Sequence, residues 1–159
     1  MKIFLDTSAV NWLTEESKEA TTLLELHRYE RIQLAGLEVA YEVRKTPDQA
    51  KKTRLEEILE QIYPLAPTHF GRMGVARADL TIAHGDDAKI MWEQLKDLGS
   101  KLNRWDPTHL LNAHYEECDY FLHRDKGLRS KVDEIEAIIA PKLVHTDDVE
   151  SILSQFPAN

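Results

Sequence analysis

Four acidic residues of this 159-residue chain stand where a fold of strands and helices can gather them, namely Asp6, Glu42, Asp106 and Asp125. The first and last follow short apolar runs, the second lies in a stretch of helical spacing, and the third precedes a proline. If these carboxylates meet in a partly dry cleft, their repulsion must be relieved by protonation or by a cation. Oxygen ligands favour hard ions such as Mg²⁺ or Mn²⁺. We therefore expect a divalent-cation site.

A cation held by carboxylates suits the hydrolysis of phosphodiester bonds. The ion polarises the phosphate, lowers the pKa of the attacking water and stabilises the leaving oxygen, so no nucleophilic side chain is needed. Three of the acids also have an ordinary structural interpretation, which stays open at this point. Asp106 can cap a helix, Asp125 can shape a turn, and Glu42 can be a solvated helix acid.

Alternating strands and helices are predicted to position these acids. Apolar runs predict strands at residues 2–5, 31–35, 120–122 and 142–144. Helical spacing and capping residues predict helices over 17–30, 37–45, 47–62, 68–84, 86–98, from 106 onward, 128–139 and 146–155. This alternation implies a three-layer α/β/α sandwich with a central parallel sheet. Ligands bind such sheets beyond the carboxyl ends of the strands, where Asp6 and Asp125 are expected.

Four segments around the acids carry short motifs. They are KIFLDTS at residues 2–8, AYEVR at 40–44, DPTHLLNA at 106–113 and CDYFLHRD at 118–125. Taken together and in this order, they resemble the PIN-domain family, which includes the VapC-type toxins of toxin-antitoxin pairs. The resemblance covers most of the chain, and the region between the second and third segments matches only in helical character.

The resemblance implies a PIN-like fold and a metal-dependent ribonuclease. The catalytic and metal-binding acids of the family correspond to Asp6, Glu42, Asp106 and Asp125, with Mg²⁺ or Mn²⁺ as cofactor. The family's small hydroxyl residue after the first acid corresponds to Thr7 or Ser8, which would bond a metal-bound water or a ligating carboxylate. RNA substrate, an antitoxin partner and a homodimer are also implied. One position departs from the family, because His123 stands where Thr or Ser is usual.

Several other residues have two interpretations. Thr7 and Ser8 are equally well explained as turn or helix-cap hydroxyls. Arg124 is placed to bind phosphate or to pair with a neighbouring acid. The histidines at positions 109, 114 and 123 do not put two imidazoles on one helical face with metal-ligand spacing, so zinc is not predicted. Cys118 adjoins a strand and is expected to be a buried, inert thiol.

Composition predicts a single soluble domain over residues 1–159, and the resemblance implies that this domain is PIN-like. A hydrophobic fraction of 42% and a charged fraction of 30% are ordinary for a globular protein, and no apolar run suits a membrane span. The single cysteine excludes an internal disulfide and fits a reducing compartment. The first residues lead directly into a strand rather than a secretory signal, so we expect a cytoplasmic protein.

A net charge of −8 argues against a protein that binds nucleic acid through a general basic coat. Cations bound at a carboxylate site reduce its local negative potential, so the charge alone does not exclude a nuclease. The most basic stretch, residues 44–54, is interpreted as a solvated helix face rather than an RNA track. Two alternatives to a ribonuclease remain, a non-catalytic PIN-like protein-interaction module and a DNA nuclease.

Overall fold

A parallel sheet forms the centre of the protein. The computed structural model describes residues 1–36, 46–62, 77–99, 102 and 106–156. Four strands lie in these ranges: β1 (Lys2–Leu5), β2 (Gln33–Ala35), β3 (Tyr120–His123) and β4 (Lys142–His145). They pair in the order β2-β1-β3-β4, and each neighbouring pair is parallel. The predicted mixed α/β class with a parallel sheet is therefore confirmed.

Helices connect the strands. The described ranges contain α1 (Thr7–Leu13), α2 (Lys18–Arg28), α3 (Gln49–Ile62), α4 (Arg77–Asp97), α5 (Asp106–Tyr115), α6 (Lys126–Arg129), α7 (Val132–Glu136) and α8 (Glu150–Leu153). Residue types at the helix starts explain several boundaries. The Asp6 side chain accepts the Ser8 amide at the start of α1, and the Ser17 hydroxyl accepts the Ala20 amide at 3.1 Å at the start of α2.

Alternate residues of the strands bury opposite faces of the sheet. Ile3 and Leu5 face a core built with residues of α1, α2, α3 and α8. Phe4 and Phe121 face a second core, which includes residues of α4, α5, α6 and α7. Their rings stack at 5.4 Å between centroids. Helices thus pack on both faces, an arrangement compatible with the expected sandwich.

The carboxyl ends of the strands are held in close register. The Asp6 amide donates to the Leu122 carbonyl at 3.0 Å, which extends the β1–β3 pairing one residue past Leu5. Gly36 follows β2 at the same edge, and a Cβ atom built there would lie 2.9 Å from the Leu5 carbonyl oxygen. Only glycine permits this close approach of the two backbones.

Three details of the helix prediction were wrong. Asp86 and Asp87 do not start a new helix, because they are exposed residues inside the continuous α4. The predicted helix over 128–139 is divided into α6 and α7, since the Lys131 amide turns back to the Leu128 carbonyl at 3.0 Å. The turn at Thr146–Asp148 is capped by His145, whose Nδ1 accepts the Asp147 amide at 3.2 Å, rather than by Thr146.

The predicted helix at 37–45, including Glu42, lies outside the described residues. Among the helices that are described, none is long and apolar enough to cross a membrane.

Candidate functional site at the carboxyl edge of the sheet

Asp6 is the best-defined acid at this edge. The residue is 7% exposed, and its Oδ2 accepts the Ser8 hydroxyl at 2.7 Å and the Ser8 amide at 3.2 Å. Its Oδ1 lies 3.0 Å from Nδ1 of His109. Burial alone would raise the pKa of Asp6, but the hydrogen bonds from His109 and Ser8 outweigh it and hold the pKa below the ordinary 3.8. The carboxyl group is therefore ionised at neutral pH.

His109 joins two predicted site elements. Because an ionised carboxylate only accepts hydrogen bonds, Nδ1 of His109 must carry the proton that it shares with Asp6. The ring is 4% exposed and lies 6.3 Å from the Phe4 ring, centroid to centroid. The contact therefore fixes the first turns of α5 on the second face of the sheet, over the end of β1.

Asp106 begins α5 and is 5% exposed. It lies three residues before His109, and side chains at this spacing occupy the same side of a helix. His109 contacts Asp6, so α5 is anchored near the end of β1 three residues after Asp106.

Asp125 caps α6 just past the end of β3. Its Oδ1 accepts the amides of Gly127 at 2.5 Å and Leu128 at 3.0 Å. Asp125 therefore shapes the turn and caps the helix through Oδ1, as its structural interpretation predicted. Both bonds use the same oxygen, so within the described ranges Oδ2 of Asp125 has no hydrogen-bond donor.

Ser8 connects the β1 edge with the β3 edge. Its hydroxyl donates to Asp6 and accepts the amide of Arg124 at 2.8 Å. The Arg124 guanidinium forms an ion pair with the Glu15 carboxylate. This agrees with the interpretation of Arg124 as the partner of a neighbouring acid. Thr7 begins α1 and is partly exposed, and its carbonyl accepts the Asn11 side-chain amide at 2.8 Å.

His123 lies at the middle of a polar row across the sheet. It pairs in register with His145, and the pairing of Leu5 with Leu122 places Asp6 on its other side. The His123 and His145 rings are 5.5 Å apart in a T-shaped arrangement. Burial and the adjacent His145 lower the pKa of His123 to about 4, against the opposing charge of Asp6, a hydrogen bond with the Asp125 backbone and the charge of Asp125. The ring is thus neutral at pH 7.

A metal ion at this edge would use oxygens that the protein leaves available. A carboxylate offers about four acceptor positions, and the described residues fill three of those of Asp6, which leaves one on Oδ1 among them. Asp125 retains Oδ2. No group of three or more His, Cys, Asp or Glu side chains close enough to hold a metal ion occurs in the part of the chain that the structure describes, which does not include Glu42.

Sequence reasoning missed two residues of this edge, His109 and His145. The spacing of three between Asp106 and His109 is a signal that could have found the first, because it places both on one helix side. His145 directly follows the apolar residues of β4, as Asp6 follows those of β1. That shared position at a strand end could have found the second.

The cations of the basic stretch and Cys118 have the ordinary structural roles that were expected of them. Lys52 pairs with Glu56 at 4.0 Å and Arg54 pairs with Glu16, so these two cations of the basic stretch face acids. Cys118 is buried, and burial raises the pKa of its thiol to about 12, which makes it a poor nucleophile.

Comparison with family models, with curated proteins and with solved structures finds no match for this chain.

Proposed function

We propose that this protein is a divalent-metal-dependent ribonuclease that hydrolyses phosphodiester bonds in RNA. The acids of its active site are Asp6, Glu42, Asp106 and Asp125. The observation that carries the proposal is the contact between Asp6 and His109, which lies three residues after Asp106 in α5. Asp125 follows the adjacent strand β3. Three of the four acids thus belong to elements that meet at one edge of the sheet.

Burial of acids at this edge supports a cation as their counter-charge. Asp6 and Asp106 are 7% and 5% exposed, and Asp6 is held ionised by its hydrogen bonds. Each further anion in such surroundings is costly unless a positive charge joins it. Bound Mg²⁺ or Mn²⁺ would polarise the scissile phosphate and lower the pKa of the attacking water.

The protein's own residues would orient this chemistry. Ser8 fixes Oδ2 of Asp6 and His109 directs Oδ1, so the remaining acceptor position of Asp6 has a set direction. The Arg124 backbone amide donates to Ser8, so the Arg124 side chain starts from the same edge. Released from Glu15, that guanidinium would bind a phosphate oxygen of the substrate.

The biological setting comes from the resemblance to VapC-type toxins. We propose the toxin of a type II toxin-antitoxin pair, a cytoplasmic protein with a small antitoxin protein as partner and a homodimeric form. The net charge of −8 fits a nuclease that depends on local site contacts rather than on general attraction to phosphate.

Cleavage of matched RNA and DNA oligonucleotides tests the proposal. We expect RNA cleavage by the wild type with Mg²⁺ or Mn²⁺, and none after chelation. Asp6→Asn should abolish cleavage while keeping the fold, because its amide oxygen can still accept from Ser8 and its amide nitrogen can donate to His109 in the other tautomer.

The exposed Asp97 provides a matched control, and Asp97→Asn should cleave as the wild type does. Equal cleavage by Asp6→Asn would refute the proposal, and preferred cleavage of DNA would replace it with the DNA nuclease.

One observation favours the alternative of a non-catalytic interaction module. Both oxygens of Asp6 already accept hydrogen bonds from the protein, so the carboxylate has a structural role without any metal. The module predicts partner binding that is unaffected by chelators and by Asp6→Asn. Loss of partner binding on chelation would count against it.

A further inference from the structure

The loop between α1 and α2 carries an acid that reaches the candidate site. Residues 14–17 form this loop, and the Glu15 carboxylate makes an ion pair with the Arg124 guanidinium. Arg124 directly follows β3, and its backbone amide donates to the Ser8 hydroxyl at 2.8 Å. The same hydroxyl donates to Asp6. The ion pair therefore joins the loop to the carboxyl edge of the sheet.

The backbone on both sides of Glu15 is held in place. The Glu15 amide donates to the carbonyl of the buried Trp12 at 2.9 Å. Glu16 has a φ of 53°, a left-handed conformation that is uncommon for residues other than glycine. The Glu16 carboxylate forms an ion pair with Arg54 of α3. Because the loop is fixed in this way, little further ordering is needed for the Glu15 carboxylate to reach Arg124.

The Glu15 carboxylate occupies the cation that the site would use for its substrate. Arg124 is the residue to which the proposed function assigns a phosphate oxygen, and carboxylate and phosphate both accept two parallel hydrogen bonds from a guanidinium. The side chains of Arg124 and Glu15 are 44% and 50% exposed. An ion pair so open to water is weak and is screened by salt. One anion can therefore replace the other without disturbing the core.

We propose that Glu15 is an internal competitor of the RNA substrate. In the free protein its carboxylate occupies the Arg124 guanidinium, and a phosphate group of the RNA displaces it on binding. The inference rests on the proposed function, because it concerns the affinity of that same site for RNA. The competition weakens every RNA by the same factor, so only an RNA that makes enough other contacts is bound.

Fluorescence anisotropy of a labelled single-stranded RNA oligonucleotide tests this, with a chelator present to prevent cleavage. We expect Glu15→Gln to bind the RNA about two- to fivefold more tightly than the wild type at low salt, which is the range for a half-exposed ion pair. The gain should shrink at high salt, where the competing ion pair is already screened. Glu25→Gln removes the same charge at an exposed position of α2 and should improve binding by less.

Removal of the arginine separates competition from a general effect of charge. Arg124→Met should weaken RNA binding at low salt, because a phosphate contact is lost. When Glu15→Gln is added to Arg124→Met, the gain should be no larger than that of Glu25→Gln, since no guanidinium remains for the two anions to share. An equal gain from Glu15→Gln with and without Arg124 would overturn the inference.

The outcomes separate this inference from the proposed function. If the wild type cleaves RNA with Mn²⁺ but Glu15→Gln binds RNA no more tightly than Glu25→Gln, the competitor role is overturned and the ribonuclease proposal stands. Weaker binding by Glu15→Gln would also overturn it, because Glu15 would then position Arg124 for the RNA. If Glu15→Gln gains affinity as expected and no RNA is cleaved with Mn²⁺, the competitor role stands and the ribonuclease proposal falls. If neither the wild type nor Glu15→Gln binds RNA, both are overturned.

Discussion

His109 and Asp6, 103 residues apart in sequence, are joined by a hydrogen bond of 3.0 Å between Nδ1 and Oδ1. Both side chains are less than one-tenth exposed. A charge-assisted hydrogen bond in such surroundings is stronger than one at the surface, because little water competes for either group. The pair holds the start of α5 on the end of β1, and the arrangement of the candidate site depends on it.

His109→Leu should destabilise the protein by about 1.5–3 kcal/mol, because it leaves the buried Oδ1 of Asp6 without its donor. His109→Asn, whose amide nitrogen can occupy the place of Nδ1, should recover at least half of that loss. The free energy of unfolding by urea at neutral pH measures both. Equal losses for the two variants would show that ring packing, and not the hydrogen bond, is what matters.

Ser8→Ala should cost about 1–2 kcal/mol in the free energy of unfolding. The substitution removes the donor to Asp6 and the acceptor for the Arg124 amide in one step. Ser151 is an exposed serine whose hydroxyl, among the described residues, bonds only to the nearby Asp148 carbonyl. Ser151→Ala should stay within about 0.5 kcal/mol of the wild type, and a similar loss for both serines would argue against a special role for Ser8.

Gly36→Ala should destabilise the protein by about 1–3 kcal/mol, since the added methyl group would lie 2.9 Å from the Leu5 carbonyl oxygen. The obstacle is backbone, which cannot rotate away as a flexible side chain can. Thermal or urea unfolding measures the loss. A stability equal to that of the wild type would mean that β2 can move away from β1 at no cost.

The buried His123 should make the protein sensitive to mild acid. Its pKa falls from 6.5 in the unfolded chain to about 4 in the folded one, so the unfolded state binds the proton first as the pH is lowered. Stability is complete above pH 6.5 and is lost progressively as the pH falls toward 4, by up to about 3 kcal/mol.

Urea unfolding of the wild type and of His123→Leu across this pH range checks the expectation. The leucine variant should lack this component of the loss, so its advantage over the wild type should grow as the pH falls. A constant difference between the two proteins at every pH would contradict it.

The parallel sheet and the place of two acids could be predicted from the sequence because they depend on local patterns. Short apolar runs predict strands, and the acids that directly follow them lie at the carboxyl edge whatever the rest of the chain does. Asp6 and Asp125 both follow strands as expected. The helix that starts at Asp106 was predicted in the same way, from an acid followed by proline.

Contacts between distant segments could not be predicted. Nothing in the spacing of residues 6 and 109 indicates that their side chains meet, because that depends on how α5 packs on the sheet. The rules for helix caps also gave a wrong helix boundary. Asp86 and Asp87 are favourable helix caps, yet α4 runs through them without a break, and Ala88 and Leu95 beyond them are buried.

Calorimetric titration with Mn²⁺ tests the central claim that acids far apart in sequence share one divalent cation. We predict saturable binding to the wild type and to the control Asp97→Asn, with affinity reduced by about tenfold or more in Asp106→Asn and in Asp125→Asn. Wild-type protein that takes up no Mn²⁺, or variants that bind it as tightly as the wild type, would contradict the account.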